Sequence, residues 1–580
     1  MLPKDIENKL EPDKVEEPSS LIKGNDESKN QSVVSYEEVL KAAGELGLYQ
    51  CFLFLATFPF YTFCVFAYYS QIFITEVSPN HWCWIPELQH LSEEERRLLA
   101  IPLDENSRFG YSQCYAYDAN WTYVLETGLT QNYTWNTIPC QNGWEFNKTE
   151  IPYPTITSEM GWVCDKDSYP ATAQSLFFVG SIIGGISIGW ISDRFGRLPA
   201  AIICNVIGCI GGVLSTFARN FIEFVLCRIV MGVSYDNCLM MAYLIVLEYV
   251  APKYRTLFAN LSFAIFYSAM VTSLPWIALA CGHWKVIALV TSLPLGLAVF
   301  TPLILPESPR WLLSVGRVDD AIDKLKRIAR INKKDIPPKL ISEFKATANI
   351  HKDETGSYRE IFKRPLLRRS FILIILVYMS CVIVFDALIR SVSLIDFDFF
   401  VAFSLLSFTE FPSLIVVAFI MDWLGRRWLT IIVMLISSVF SVLSVYVNTG
   451  LQSMICAIIA RFAVNMSYNA AMQWSAELLP TPVRGAGVSL IHIFGFVAVF
   501  VSPYIVYLNT VYEELPMLIV GATALFGAVV AAFLPETSRL DMPQTFEDAE
   551  VMFNNQKLWK LPKKQKKTEL YPEVNASFEL

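Results

Sequence analysis

Polar and apolar positions alternate along this chain on the scale of a bilayer rather than of a helix turn. Apolar stretches near the ~20 residues that cross a hydrocarbon core recur at 48–74, 169–191, 198–218, 221–247, 256–281, 284–305, 371–389, 397–421, 428–447, 451–474, 485–508 and 516–534. The pattern predicts an all-α membrane protein with twelve transmembrane helices. Two long polar segments interrupt the series, 75–168 and 306–369, and polar tails flank it at 1–47 and 535–580. The expected division is therefore a six-helix bundle at 48–305 that includes the loop 75–168, a linker at 306–369, and a second bundle at 370–534.

Composition agrees: 53% of residues are hydrophobic, only 17% are charged, and mean hydropathy is +0.40, values of a lipid-resident chain. Residues 1–47 contain no apolar region, so the first span is expected to act as the signal anchor. Segment 306–369 holds sixteen Lys or Arg, whereas 75–168 holds only Arg96, Arg97, Arg108, Lys148 and Lys166. The positive-inside rule then puts the linker and both termini in the cytoplasm and the first loop outside. That loop carries Cys83, Cys114, Cys140 and Cys164, read as two disulfides with three possible connectivities. It also carries glycosylation sequons at Asn120, Asn132 and Asn147, where an external loop would be modified. Sequons at Asn30, Asn260, Asn465 and Asn575 fall in predicted cytoplasm or membrane and are not expected to carry sugar.

A search for internal repeats shows one plan used twice. Asp193, Gly196, Arg197, Glu248, Arg255, Pro306, Glu307 and Arg310 recur as Asp422, Gly425, Arg426, Glu477, Arg484, Pro535, Glu536 and Arg539, each 229 positions on, as between 193 and 422. GWISDRFGR answers FIMDWLGRR, EYVAPKYR answers ELLPTPVR, and PESPRW answers PETSR. All lie at predicted cytoplasmic helix ends, where charges are tolerated. Singly each reads as a helix-end charge; as a duplicated set they are expected to latch the halves together when the cavity faces out.

The DRFGR and DWLGRR loops resemble the signature loop of the major facilitator superfamily, and PESPRWL resembles its sugar-porter and organic-ion branches. The long Cys-bearing, glycosylatable first loop resembles that of the organic cation, organic anion and carnitine transporter family, a likeness that covers the chain from about residue 44 to 550. The resemblance implies two pseudo-symmetric six-helix bundles rocking about a central site and a plasma-membrane setting.

Three carboxylates fall inside predicted spans, Asp236, Asp386 and Glu410, and an intramembrane charge is read as functional by default. Asp386 precedes Arg390 by one turn and pairs with it on an alternative reading; Glu410 precedes Pro412, where a carboxylate also serves freed backbone groups. Arg228, eight residues from Asp236, is a poor partner on the same helix. Tyr378 and Phe385 are seven apart on one face, where the resemblance implies an aromatic pair facing the cavity. Tyr243, Tyr468, Asn469, Gln473 and Phe496 join them on the same argument, against the alternative that aromatics mostly pack or anchor helices.

Phe496 stands where the family places a charge-selecting residue, and Asp236 where relatives often carry a base. With Arg461 read as lying two turns outward of Tyr468, the deep site is expected to be net acidic and to suit an organic ammonium, through carboxylate and ring contacts. The expected function is transport of small organic cations or carnitine-like zwitterions, with an organic anion carrier or a non-transporting sensor as alternatives. Residues 317–331 predict an amphipathic helix under the membrane, and Lys557, Lys560, Lys563, Lys564, Lys566 and Lys567 predict a lipid-contacting or solvated tail. No phosphate-binding loop, metal cluster or nucleophile elbow occurs in the sequence, so no cofactor, metal, nucleic-acid partner or enzymatic role is expected.

Overall fold

Without water to bond to, a backbone in lipid must satisfy itself, and the apolar stretches fold accordingly as helices. In the computed structural model the described residues are 34–554 apart from 77, 79, 105–108, 129–134, 349–358, 448, 539 and 541. Asn132, Arg539 and the lysines from Lys557 onward lie outside them. Among the described residues eleven helices are long and apolar enough to cross a membrane: Leu48–Thr75, Cys164–Phe195, Arg197–Ser215, Phe221–Glu248, Pro252–Cys281, Trp284–Ile304, Pro365–Leu394, Phe399–Leu424, Arg426–Tyr446, Gly450–Leu478 and Thr481–Thr510. The twelfth, Leu515–Ala531, is shorter than the 516–534 stretch predicted for it, because the chain turns after Ala531 on the way to Pro535. The twelve-helix fold stands, and these helices are numbered below as spans one to twelve.

Three spans are irregular near mid-depth. Span four is two helices, Phe221–Ser234 and Asn237–Glu248, joined at Asp236 with φ +61°. A non-glycine residue there is strained. Span five contains a π-helical turn at Phe263–Tyr267 and Pro275, and span eight is interrupted at Thr409, between Phe399–Phe408 and Glu410–Leu424. Spans two and four pack backbone against backbone: a Cβ on Gly180 would lie 2.0 Å from the Ile229 carbonyl oxygen, and one on Gly232 2.0 Å from that of Phe177. Small residues permit this approach, and it fixes the break at Asp236 against the bundle interior.

The first loop is a small folded unit. Strands His81–Cys83 and Trp144–Phe146 pair antiparallel, as do Tyr115–Tyr117 and Thr137–Pro139, over a core that includes Trp82, Leu88, Ile101 and Trp121. Disulfides Cys83–Cys140 and Cys114–Cys164 select one of the three connectivities. Asn120 caps helix Trp121–Thr127 through its side-chain oxygen, and the Asn147 side-chain oxygen accepts from the Thr149 amide.

The linker helix Val318–Ile331 buries Ala321, Ile322, Leu325 and Ile328, and helix Tyr36–Gly44 packs against it. Its apolar stripe is thus covered by chain. The second half repeats the device: helix Phe546–Asn554 begins beside Glu547, 229 positions after Val318, and Glu547 and Glu550 hold Arg364 at the start of span seven at 2.8 and 3.5 Å.

Candidate substrate site between the two halves

The two halves meet at the end that carries the disulfide loop. Tyr504 donates to Thr172 (3.2 Å), Tyr507 to Asp167 (2.8 Å) and Ser404 to the Thr272 carbonyl (3.1 Å). Arg390 donates to Gln174 and Tyr68 to Asp386 across the same seam, and Phe73 packs on Phe403 with centroids 4.9 Å apart. At the opposite end, where the glycine turns lie, the ion pairs Arg197–Glu248 and Arg426–Glu477 each close within one half. Asp236, Tyr243, Phe385, Tyr468, Asn469, Gln473 and Phe496 are all half-buried rather than sealed, although they lie within the bundle. The seam between the halves on the glycine-turn side of these contacts is called the crevice below.

On the C-terminal side of this crevice, Phe385 stacks on Tyr468 at 5.2 Å and Tyr378 lies 5.8 Å from the same ring. Asp236 faces them from span four, within electrostatic reach of Tyr378 and Tyr468. Tyr235 touches Phe496 across the halves at 6.0 Å and stacks on Tyr68 at 4.6 Å. The structure therefore brings together Asp236, Tyr378, Phe385, Tyr468 and Phe496. Tyr243 instead packs on Phe263 of its own half, Asn469 spends its amide nitrogen on the Asn465 carbonyl, and Gln473 turns to Glu477 at 2.9 Å. Sequence reasoning missed Tyr68, Tyr235 and His492, whose imidazole lies 5.6 Å from the Tyr378 ring. His492 is the single histidine within a predicted span and stands one turn before Phe496, which was the available signal.

The charges settle differently from expectation. Asp386 pairs with Arg390 at 2.6 Å, both buried. Arg461 pairs with Glu410 at 2.9 Å, donates to the Phe385 carbonyl and lies 3.7 Å from the Phe385 ring centroid. The interruption at Thr409 begins a new helix with Glu410, and that carboxylate meets Arg461, so Arg461 is not remote from the deep site and the site is not net acidic by count. Among the described residues, Arg228, 1% exposed, meets the Gln71 side-chain oxygen at 3.3 Å, the Met231 sulfur and the Phe177 ring, and no carboxylate. Of the three carboxylates Asp236 alone makes no ion pair among the described residues.

The duplicated set has a local structural logic. Gly196 (φ +113°) and Gly425 (φ +84°) occupy the left-handed region that favours glycine, and a Cβ on either would strike the Glu307 or Glu536 carboxylate at 2.3 or 2.5 Å. Those carboxylates accept from the first amides of the next helices: Arg197 (3.0 Å) and Leu198 (3.2 Å) for Glu307, Arg426 (2.8 Å) and Arg427 (3.1 Å) for Glu536. Each thus caps a helix N-terminus, where negative charge is favoured. Arg255 and Arg484 donate to backbone carbonyls of the preceding turn, Leu247 and Val250 or Leu479. Arg310 meets Glu37 of the N-terminal helix at 2.5 Å. Asp193 and Asp422 hold Arg197 and Arg426 while remaining 81% and 80% exposed.

Residues 123–389 and 391–576 match the family described as Sugar (and other) transporter. The chain is 28% identical to the carcinine transporter of Drosophila melanogaster over 90% of its own length and 79% of that protein. It is 29% identical to the beta-alanine transporter of the same organism, over 90% of each, and 26% identical to organic cation transporter 1 of Caenorhabditis elegans, over 89% and 88%. The inward open conformation of the xylose transporter XylE from E. coli superposes with a TM-score of 0.56 at 15% identity, over 86% of this chain and all of that one; at that identity the likeness establishes the fold.

Proposed function

Because the chain belongs to the sugar (and other) transporter family of the major facilitator superfamily, and is therefore a multi-pass membrane transporter of a small organic solute, we propose that it carries organic cations, or zwitterions recognised by their ammonium end, by alternating access. One arrangement carries this reading: the Tyr378–Tyr468–Phe385 stack on one half facing Asp236, the central carboxylate without an ion pair, on the other. An alkylammonium gains roughly 0.5–2 kcal/mol per ring face and roughly 1.5–3 kcal/mol from a charged hydrogen bond. The relatives named for organic cations, carcinine and beta-alanine support it. An organic anion is disfavoured, since Arg228 is 1% exposed and packs on the Phe177 ring.

The disulfides and the sequons at Asn120 and Asn147 support an external loop with both termini cytoplasmic, so that the crevice faces inward. In the outward-facing state the glycine-turn ends close, and the twelve charged residues of the duplicated set are proposed to exchange partners across the halves, led by the exposed Asp193 and Asp422. Uptake of radiolabelled tetraethylammonium, carnitine, beta-alanine and benzoate into proteoliposomes tests the substrate class. Ammonium uptake should exceed benzoate uptake and fall about tenfold or more in Asp236→Asn, as loss of one charged contact implies. Preference for benzoate, or an unimpaired Asn variant, would overturn the proposal.

A further inference from the structure

Asp236 and His492 approach the crevice from opposite halves, and neither has an ion-pair partner among the described residues. Asp236 stands at the break of span four in a strained backbone conformation and does not cap the helix that follows, so its carboxylate is not committed to the fold. Tyr235 beside it touches Phe496, one turn along span eleven from His492, and the carboxylate and imidazole lie within electrostatic reach of each other. His492 is held by its packing beside the Tyr378 ring, and both groups are half-buried, so crevice water reaches them.

We infer that Asp236 and His492 form a proton site shared between the halves, and that the carrier exchanges protons for organic cations. The inference rests on the crevice being the solute site. In the empty carrier the proton sits on His492 and the imidazolium faces the Asp236 carboxylate, a neutral couple. An incoming ammonium takes the carboxylate; the imidazolium, now beside a second cation, gives its proton to crevice water. One positive charge enters the couple and one leaves it, so the loaded and empty forms carry equal charge and both can reorient.

Other titratable groups near the couple do not compete for this role. They are Cys64, Tyr68 and Tyr69 of span one, Tyr235 and Cys238 of span four, Tyr267 of span five, Tyr378 of span seven and Tyr468 of span ten. Thiols and phenols stay protonated near neutral pH, where carboxylates and imidazoles exchange protons. Arg228 lies eight residues along span four from Asp236, about 12 Å, while Arg390 and Arg461 are held by Asp386 and Glu410.

The test is the initial rate of tetraethylammonium uptake by the full chain in proteoliposomes at internal pH 6.0 and external pH 7.5, against pH 7.5 on both sides. The inside-acid gradient should raise the wild-type rate at least fivefold and the interior should alkalinise as the probe enters, read by trapped pyranine. His492→Gln should bring the ratio of the two rates to about one, whatever rate it retains. Calorimetry of tetraethylammonium binding to wild-type protein at pH 6.5, in buffers of different ionisation enthalpy, should show close to one proton released, without reliance on any variant. Tetraethylammonium flux indifferent to the gradient, or stimulated by an inside-alkaline one, overturns proton exchange and leaves the cation-carrier reading standing. Absence of tetraethylammonium flux at any pH, with benzoate carried instead, overturns both.

Discussion

In the C-terminal half, Arg426 lies 2.9 Å from Glu477 with both side chains 9% exposed, and Arg461 lies 2.9 Å from Glu410 with 0% and 8%. The N-terminal copy of the first pair is looser, with Arg197 4.0 Å from Glu248 at 20% and 16% exposure, and Gly232 stands 229 residues before Arg461, so the second pair's arginine has no copy there. Ser181 occupies the position 229 residues before Glu410, so the N-terminal plan lacks that acid. Arg310 and Arg255 then take Glu37 from outside the repeat. Among the described residues, the buried Arg390, Arg426 and Arg461 of the C-terminal half each meet a carboxylate of that half, whereas Asp236 and Arg228 of the N-terminal half have no counter-ion. On the proposed reading, a duplicated fold divides its labour here, one copy serving as a rigid wall and the other presenting the uncommitted charge that an organic cation would take.

The largest expected effect comes from breaking the wall. Arg461→Met leaves Glu410 buried without its cation, a loss of roughly 3–5 kcal/mol for a buried pair, and should sharply lower the melting temperature of the purified protein in detergent. Adding Glu410→Leu removes the stranded charge and should restore most of it. Arg228→Met strands no carboxylate and should melt at or above the wild-type temperature. Equal losses from the two arginine variants, or no rescue by the double substitution, would mean that the halves do not differ in this way.

The same contrast marks what could be read from sequence. The spans were legible because lipid imposes their length, and the duplicated set because a constant offset needs no geometry. Asp386–Arg390 was legible because a spacing of four fixes neighbours on one helix. Arg461–Glu410 was not: the partners lie on different helices, and their meeting depends on the interruption at Thr409. The break at Asp236 has no breaker residue to announce it, since neither Gly nor Pro occurs between Ser234 and Glu248. The cysteine pairing was open among three choices until the loop's strands set Cys83 near Cys140. His492 offered only its place as the one histidine inside a predicted span, which does not say what it faces.

A smaller effect separates the two glycine-turn clusters. Arg426→Ala removes a buried cation that serves both Glu477 and Asp422 and should cost about 3 kcal/mol, at the lower edge for buried pairs. Arg197→Ala removes a partly exposed one and should cost about 1 kcal/mol or less. Surface expression of the two variants in parallel, with melting temperature as the second reading, measures the difference. Equal loss would show that the longer Arg197–Glu248 distance has no energetic meaning.

The smallest effect concerns the segment that completes the N-terminal set from outside the repeat. Glu37 lies 2.5 Å from Arg310 and 3.5 Å from Arg255, with side-chain exposures of 45%, 39% and 27%. Ion pairs this exposed contribute roughly 0.2–1 kcal/mol each, and Tyr36 remains anchored through its hydroxyl to the Glu248 carbonyl at 2.8 Å. Glu37→Gln should therefore loosen helix Tyr36–Gly44 without releasing it. Amide exchange within that helix, followed by mass spectrometry, should quicken by up to about fivefold, the equivalent of 1 kcal/mol, while helix Phe546–Asn554 is unchanged. Raising salt to about 1 M, where the screening length falls to roughly 3 Å, should quicken exchange in the wild type more than in the variant, because the variant has already lost the charge that salt screens. Equal salt responses would show that packing of Tyr36, rather than the Glu37 charge, holds this segment to the N-terminal half.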